Sequence, residues 1–190
     1  ASNDGYLLKN FVDMEVPCLG VEPTSSTAAA ARAKGVPTLE RFFGVDLANE
    51  IVESEGHADL IVANNVLAHV PEPHDFLGGV EILLADSGVA TFEYPHLLNL
   101  VEQKQFDTIY HEHFSYLSLT ATTDLMTRNG LSLFRVQELP THGGSLRVFA
   151  QPTRSGLREV EPSVEELLFR ERNSNMLSVH FYSGFQENAN

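Results

Sequence analysis

The stretch Asp59-Leu-Ile-Val-Ala63, followed directly by Asn64-Asn65, decides the fold expected for this chain of 190 residues. Its nearly continuous apolar run is typical of a strand buried on both faces, as the strands of parallel sheets are. A helix is predicted next, from Pro73 to Leu84, and then a second apolar strand, from Val89 to Tyr94. Strand, helix and strand in this order form a βαβ unit, so the sequence predicts a parallel sheet.

The same alternation precedes this unit and changes after it. The further predicted elements are a strand at Cys18 to Glu22, a helix at Thr24 to Lys34 with a capping Thr-Ser-Ser cluster, a strand at Val36 to Arg41, a helix at Asp46 to Ser54, a helix at Thr120 to Arg128, and strands at Leu131 to Glu138 and Ser145 to Ala150. The link between the last two strands is too short for a parallel crossover, so they should form an antiparallel hairpin. We therefore expect an α/β, Rossmann-like fold, a doubly wound and mostly parallel sheet that ends in an antiparallel hairpin.

The two ends of the chain suggest a longer polypeptide. Ala1-Ser-Asn-Asp-Gly5 resembles the loop that follows a first strand, and that strand is missing. We expect residues 1–151 to form the core of the domain. We expect residues 152–190 to form a linker and a helix, near Ser163 to Asn173, that lead to a C-terminal domain outside this chain.

Composition restricts the possible partners. With 12 Lys and Arg against 26 Asp and Glu, the formal net charge is −14, which argues against a general nucleic-acid or anionic-membrane surface. No apolar run is long enough to span a bilayer and no secretory signal is visible, so a cytoplasmic setting is expected. The single cysteine, Cys18, excludes an internal disulfide, and the sequence carries no indication of oligomeric state.

Ligands of Rossmann-like sheets bind beyond the carboxyl ends of the strands, and several polar residues fall there. Glu22 is placed to accept hydrogen bonds from ribose hydroxyls, and Phe42 and Phe43 either flank an adenine or pack in the core. The dinucleotide NAD is the main competitor, but the turn at residues 2–5 lacks the three-glycine spacing needed around a pyrophosphate. The pattern therefore favours S-adenosylmethionine. The predicted cofactor-binding residues are Ser2, Asn3, Asp4, Gly5, Glu22, Pro23, Phe42, Phe43, Asn64 and Asn65.

Four segments carry a resemblance to a known family. They are Ser-Asn-Asp-Gly-Tyr-Leu-Leu (2–8), Val-Ala-Asn-Asn-Val-Leu-Ala-His-Val-Pro (62–71), Phe-Asp-Thr-Ile-Tyr-His-Glu-His-Phe-Ser-Tyr (106–116) and His-Gly-Gly-Ser-Leu-Arg-Val (142–148). Together they resemble the S-adenosylmethionine-dependent sugar C-methyltransferases, which act on nucleotide-linked 4-keto-deoxyhexoses. The resemblance implies an N-terminal zinc-binding module and a further C-terminal domain outside this chain, with no metal in the chain itself.

The same resemblance implies a mechanism and its residues. A carbon beside a ketone becomes nucleophilic when a base removes its proton and an enolate forms. The resemblance implies that His113 is the general base, that Tyr110 is a donor near the ketone and that Glu112 orients or polarises a partner. His69 follows the strand Asp59 to Ala63 closely and should project into the same cleft.

Other interpretations of these residues stay open. Tyr110-His-Glu-His113 also fits a polar loop whose histidines bond to backbone carbonyls. His111 and His113 could hold a metal with Glu112 or His96, although the helical His-Glu-x-x-His pattern is absent. His142-Gly-Gly144 fits an ordinary hairpin turn or a substrate-side loop.

Three other functions remain as alternatives. The first is a methyltransferase of the same class that acts on oxygen or nitrogen of another small molecule. The second is an NAD-dependent nucleotide-sugar oxidoreductase or epimerase, because an acidic residue after the second strand serves NAD as well. The third is a binding module whose site has lost its chemistry.

Overall fold

A computed structural model describes residues 1–185 of the chain. Its strands are β1 (Gly20–Val21), β2 (Thr38–Leu39), β3 (Ala58–Asn64), β4 (Leu84–Pro95), β5 (Leu131–Leu139) and β6 (Ser145–Pro152). Its α-helices are α1 (Leu8–Asp13), α2 (Ser25–Ala33), α3 (Val45–Glu55), α4 (Pro73–Leu83), α5 (Leu97–Glu102), α6 (Leu119–Arg128) and α7 (Pro162–Asn173). Short 3-10 turns lie at Leu67–His69, Phe106–Thr108, Thr141–Gly143 and Val179–Tyr182.

The sheet topology confirms the predicted α/β fold. β1 pairs with β2 in parallel, and a second sheet has the order β3-β4-β6-β5. β3 and β4 are parallel, whereas β6 is antiparallel to both β4 and β5. The described strands therefore pass from parallel pairs to an antiparallel hairpin, as the short link after β5 predicts.

The main core lies around β4 and the helices next to it. Phe92 and Tyr94 of β4 are fully buried and belong to the same apolar cluster as Leu77 of α4 and Leu146 of β6. A smaller cluster, centred on Leu47, Ala48, Ile51 and Leu83, joins α3 to α4. These packed helices hold the loops at the carboxyl ends of the parallel strands in place.

Two local predictions are wrong. β3 is not buried on both faces, because Leu60 and Val62 are 49% and 39% exposed. Ile61 and Ala63 pack against the core clusters, as does Ala58 at the start of the strand. Thr24 is the N-cap residue of α2, but its side chain makes no capping hydrogen bond.

The C-terminal segment contributes to the same core. Val164 and Leu167 of α7 are buried in the main apolar cluster, and burial of side chains of this size contributes about 1.5–3 kcal/mol each. The division of the chain at residue 151 stays a prediction. Residues 186–190 of the segment lie outside the described residues. Among the described helices, none is long and apolar enough to cross a membrane.

Candidate active site

The loop at residues 2–5 lies against the end of β1. The N–H of Ser2 donates to the carbonyl of Val21 at 2.9 Å. Gly5 has φ +76°, and a Cβ there would lie 2.9 Å from Cγ2 of Val36, so both conformation and space require glycine. Asn3 is also in the left-handed region, with φ 60°. The turn thereby exposes backbone to the space beyond β1.

Glu22 ties this loop to the start of α2. Its side chain is buried, 5% exposed, and accepts hydrogen bonds from the N–H groups of Asn3 (3.0 Å) and Thr24 (2.9 Å). Burial alone raises the pKa of the Glu22 carboxyl, but these N–H donors outweigh it and hold that pKa below its ordinary value. Each carboxylate oxygen keeps a second lone pair, so the ionised group can also accept from ribose hydroxyls.

Three predicted cofactor residues carry buried polar atoms that have no hydrogen-bond partner among residues 1–185. They are Oγ of Ser2 and the Oδ1 atoms of Asn64 and Asn65. Asn65 has φ 55°, and its N–H donates to the carbonyl of Glu93 at 2.7 Å. Unpartnered buried oxygens are rare in folded proteins and point to a missing ligand with hydrogen-bond donors. The amino and hydroxyl groups of an adenosyl cofactor fit them.

A cleft of about 450 Å³ is lined by Pro23 and by both phenylalanines, which have different surroundings. Phe42 is 83% exposed, whereas the ring of Phe43 packs edge-on against Phe76 with 5.5 Å between centroids. Phe43 thus lines the cleft while packing against both core clusters. The residues lining this cleft include Pro23, Phe42, Phe43, Gly44, Asp46 and Leu47.

The structure brings Tyr110 and His113 into direct contact. Nδ1 of His113 lies 2.9 Å from the carbonyl oxygen of Thr108, and Nε2 lies 3.0 Å from the hydroxyl of Tyr110. Since a carbonyl can only accept, Nδ1 carries the hydrogen and Nε2 of the neutral ring holds a lone pair. The Tyr110 hydroxyl then donates to that lone pair. This is the protonation state that a general base requires.

His69 lies on the other side of His113. Its ring is 4.7 Å from the His113 ring, and its Nδ1 is 3.0 Å from the carbonyl of Glu112. The N–H of Phe114 donates to the carbonyl of Ala68 at 2.8 Å, which joins the two segments. Asn65 is only four residues before His69, so one loop connects the cofactor residues to the histidine pair.

Two other polar side chains of the segment, those of His111 and Glu112, form no hydrogen bond with the His113 ring in the described part of the chain, whereas the ring of Tyr116 packs against it at 5.8 Å between centroids. Glu112 and His111 are exposed, and within residues 1–185 the Glu112 carboxylate has no hydrogen-bond partner. His142 is exposed with φ 52° in the hairpin turn. No group of three His, Cys, Asp or Glu side chains in the described part of the chain is arranged to hold a metal.

Sequence reasoning missed the network around Glu93. This carboxylate, 6% exposed, accepts from the hydroxyl of Thr141 at 3.2 Å and pairs with Arg147 at 2.8 Å. The network links the end of β4 to the hairpin turn. A single acidic residue inside the apolar strand Val89 to Tyr94 was the available signal.

Comparisons with known proteins agree with this arrangement. A family model described as a methyltransferase domain matches residues 2–136, and one described as a C-methyltransferase C-terminal domain matches residues 140–190. The C-methyltransferase NovU of Streptomyces niveus is 38% identical over 184 residues, which are 97% of this chain and 44% of that protein. The chain therefore spans less than half the length of this relative.

Solved structures share the fold at low identity. The PH0226 protein of Pyrococcus horikoshii has a TM-score of 0.64 at 13% identity, over 80% of this chain and 79% of its own. The magnesium protoporphyrin IX methyltransferase of Synechocystis, solved with bound SAH, has a TM-score of 0.59 at 13% identity, over 80% and 71%. The match of the methyltransferase-domain model to residues 2–136, most of the chain, shows that this chain belongs to the methyltransferase family.

Proposed function

We propose that this chain is the cofactor-binding core of an S-adenosylmethionine-dependent C-methyltransferase that acts on a nucleotide-linked keto-deoxysugar. Membership of the methyltransferase family and the similarity to a C-methyltransferase support the reaction class. The keto-sugar substrate is supported by the chemistry that Tyr110, His113 and His69 offer when they lie together.

The observation that carries the proposal is the environment of His113 Nε2. The contact of Nδ1 with the carbonyl of Thr108 leaves the lone pair of the neutral ring on Nε2, where the Tyr110 hydroxyl donates to it. In the proposed step Nε2 takes the proton from the carbon beside the ketone, and the C–H electron pair becomes the enolate. The Tyr110 hydroxyl turns from Nε2 to the enolate oxygen and stabilises its charge. When bound, S-adenosylmethionine would supply an electrophilic methyl, to which the enolate carbon would form its new bond while the electrons of the broken sulfur–carbon bond remained on sulfur.

The cofactor would be held by the loops described above. Glu22 would accept from the ribose hydroxyls, and the unpartnered oxygens of Ser2, Asn64 and Asn65 would accept from donors of the cofactor. Phe42 is exposed at the cleft and would cover the adenine.

Recognition of the nucleotide would need other parts of the protein. A diphosphate requires cations, but Lys34 beside the first loop is paired with Asp4 at 2.5 Å and Arg147 with Glu93. We therefore expect segments outside this chain to bind the diphosphate. We expect the whole protein to work in the cytoplasm.

The test is proton exchange in the full-length protein. With the keto-sugar nucleotide in deuterated water and no methyl donor, NMR should show deuterium entering the carbon beside the ketone. His113→Gln should lower the exchange rate by about 10²-fold or more, the usual contribution of a general base. His111→Gln is the matched control, because His111 is an exposed neighbour of the same type, and it should keep the wild-type rate.

Other results would overturn the proposal in distinct ways. Methyl transfer without any deuterium exchange would exclude an enolate intermediate and favour an oxygen or nitrogen atom as the methyl acceptor. If the His113→Gln variant exchanges deuterium at the wild-type rate, His113 is not the general base. Selective binding of NAD over S-adenosylhomocysteine would end the methyltransferase proposal altogether.

A further inference from the structure

A buried hydrogen bond between side chains joins α7 to the residue that follows β4. His96 is fully buried and Glu171 of α7 is 1% exposed, and His96 Nε2 lies 2.7 Å from Glu171 Oε1. The two residues are 75 positions apart in the chain. A buried carboxylate is costly unless donors surround it, so its other partners decide what it does.

The remaining hydrogen bonds of Glu171 go to the start of α6. Its two oxygens accept from the N–H groups of Leu119 (2.6 Å) and Thr120 (2.8 Å) and from the Thr120 hydroxyl (2.6 Å). The first N–H groups of a helix have no partner within the helix, so a carboxylate from another helix satisfies them here. Glu171 thus fixes where α6 begins.

The main chain of His96 holds two segments of the candidate site. Its N–H donates to the carbonyl of Gly144 in the hairpin turn at 3.0 Å. The next N–H, that of Leu97, donates to the carbonyl of Leu117 at 3.0 Å, and His96 and Leu117 form a parallel bridge. Leu117 lies four residues after His113 and two before the helix that Glu171 caps.

The segment from Thr108 to Tyr116 is therefore anchored at both ends by different means. At its start the hydroxyl of Thr108 donates to the carbonyl of Gln105 at 2.9 Å, and its later part is fixed by Ala68 and by the residues around His96. A shift of Leu117 would move His113 relative to His69, and displacement of a base by about 1 Å can cost 10²-fold in rate. The buried pair is joined to Leu117 and to the start of α6.

We propose that Glu171 and His96 are positioning residues, which set the place of the Tyr110–His113 segment by fixing Leu117 and the start of α6. The role of this segment in catalysis rests on the function proposed above. Through Glu171, α7 becomes part of the active-site support, although the sequence suggests only a helix beyond a linker.

The test compares two variants of α7 in the full-length protein. Glu171→Gln keeps the size and one accepting oxygen, but it loses the charge and a second acceptor. Val164→Ala is the matched control, because Val164 is buried in the same helix and makes no contact of this kind. Both should lower the melting temperature. Glu171→Gln alone should speed amide exchange across residues 108–117 and lower kcat at least tenfold, with the Kd for S-adenosylhomocysteine within about twofold of wild type.

A second pair of variants keeps the proposal testable if Glu171→Gln does not fold. His96→Gln keeps a donor for Glu171 and should retain most of kcat, whereas His96→Leu lacks a donor and should lose it. Equal loss of kcat in Glu171→Gln and Val164→Ala, or unchanged amide exchange in 108–117, would overturn the proposal. The exchange measurement needs no substrate, so it still tests positioning if the proposed reaction itself fails.

Discussion

Glu22 shows how one side chain can both build and serve a site. Its carboxylate accepts hydrogen bonds from the N–H groups of Asn3 and Thr24, so it joins the first loop to the start of α2. These donors favour the charged form of the carboxyl and lower its pKa. An uncharged side chain at this position would weaken both the hydrogen bonds that join the two segments and the proposed contact with the ribose. Substitution of Glu22 is therefore the most direct single test of the proposed cofactor site.

We predict that Glu22→Gln lowers affinity for S-adenosylhomocysteine about tenfold to a hundredfold. Hydrogen bonds to charged groups contribute about 1.5–3 kcal/mol, and the amide would also place donors against the N–H groups of Asn3 or Thr24. Calorimetric titration of the full-length protein measures the Kd. Glu53→Gln, an exposed position of α3, should leave it unchanged. Equal Kd values for wild type and Glu22→Gln would exclude the ribose contact.

Residue types could be predicted from the sequence, but their partners could not. Glu22, Asn64 and His69 lie at or after strand ends, and the ends of parallel strands meet at one edge, so the sequence predicts that they line the same edge. The carbonyl of Thr108, which sets the tautomer of His113, belongs to an irregular segment whose path no periodicity encodes. Glu93 was missed because its partners, Thr141 and Arg147, come from a hairpin about 50 residues later.

At the scale of elements, the cleft depends on how closely α4 approaches the loop before α3. A Cβ at Gly79 would lie 2.7 Å from the carbonyl oxygen and 2.8 Å from the carbonyl carbon of Gly44. At Gly78, the preceding residue of the same helix, it would meet only Cγ2 of Val45, at 3.2 Å. Two adjacent helical glycines thus differ in what surrounds them, and only Gly79 is required by backbone contact.

We predict opposite effects of alanine at these positions. Inside a helix, alanine is more favourable than glycine by about 1 kcal/mol of folding free energy, so Gly78→Ala should be neutral or slightly stabilising. Gly79→Ala should destabilise by about 1–3 kcal/mol because backbone atoms must move. It should also weaken S-adenosylhomocysteine binding, since the displaced loop carries Phe42 and Phe43. Urea unfolding and calorimetry measure both, and equal stability of the two variants would contradict the role given to Gly79.

The elements themselves were largely predictable because their apolar periods are clear. The expected helix from Pro73 to Leu84 is observed as Pro73–Leu83, and the hairpin strands begin where expected, at Leu131 and Ser145. The exposure of Leu60 and Val62 on β3 was not predictable, because an apolar run shows what a strand can bury and not which elements are there to cover it. The role of α7 was also hidden, since its Glu171 looks like any charge of a surface helix.

For the molecule as a whole, the buried carboxylates link stability to pH. Burial alone raises the pKa of Glu171, but the hydrogen bonds from His96, Thr120 and Leu119 outweigh it, so the folded-state pKa lies below the ordinary 4.5. The folded form then binds fewer protons than the unfolded form. The contribution of Glu171 is therefore complete above about pH 4.5 and is lost as the pH falls through the folded-state value.

We predict that the urea concentration at the unfolding midpoint of the full-length protein falls as the pH is lowered from 5 towards 3. In the Glu171→Gln variant this midpoint should fall less steeply. The glutamine cannot titrate, so this variant starts from lower stability at pH 7 and converges with wild type in acid. Glu53→Gln should keep the wild-type slope, because Glu53 is exposed on α3. Parallel curves for wild type and Glu171→Gln would mean that this carboxylate, despite its four donors, does not govern acid unfolding.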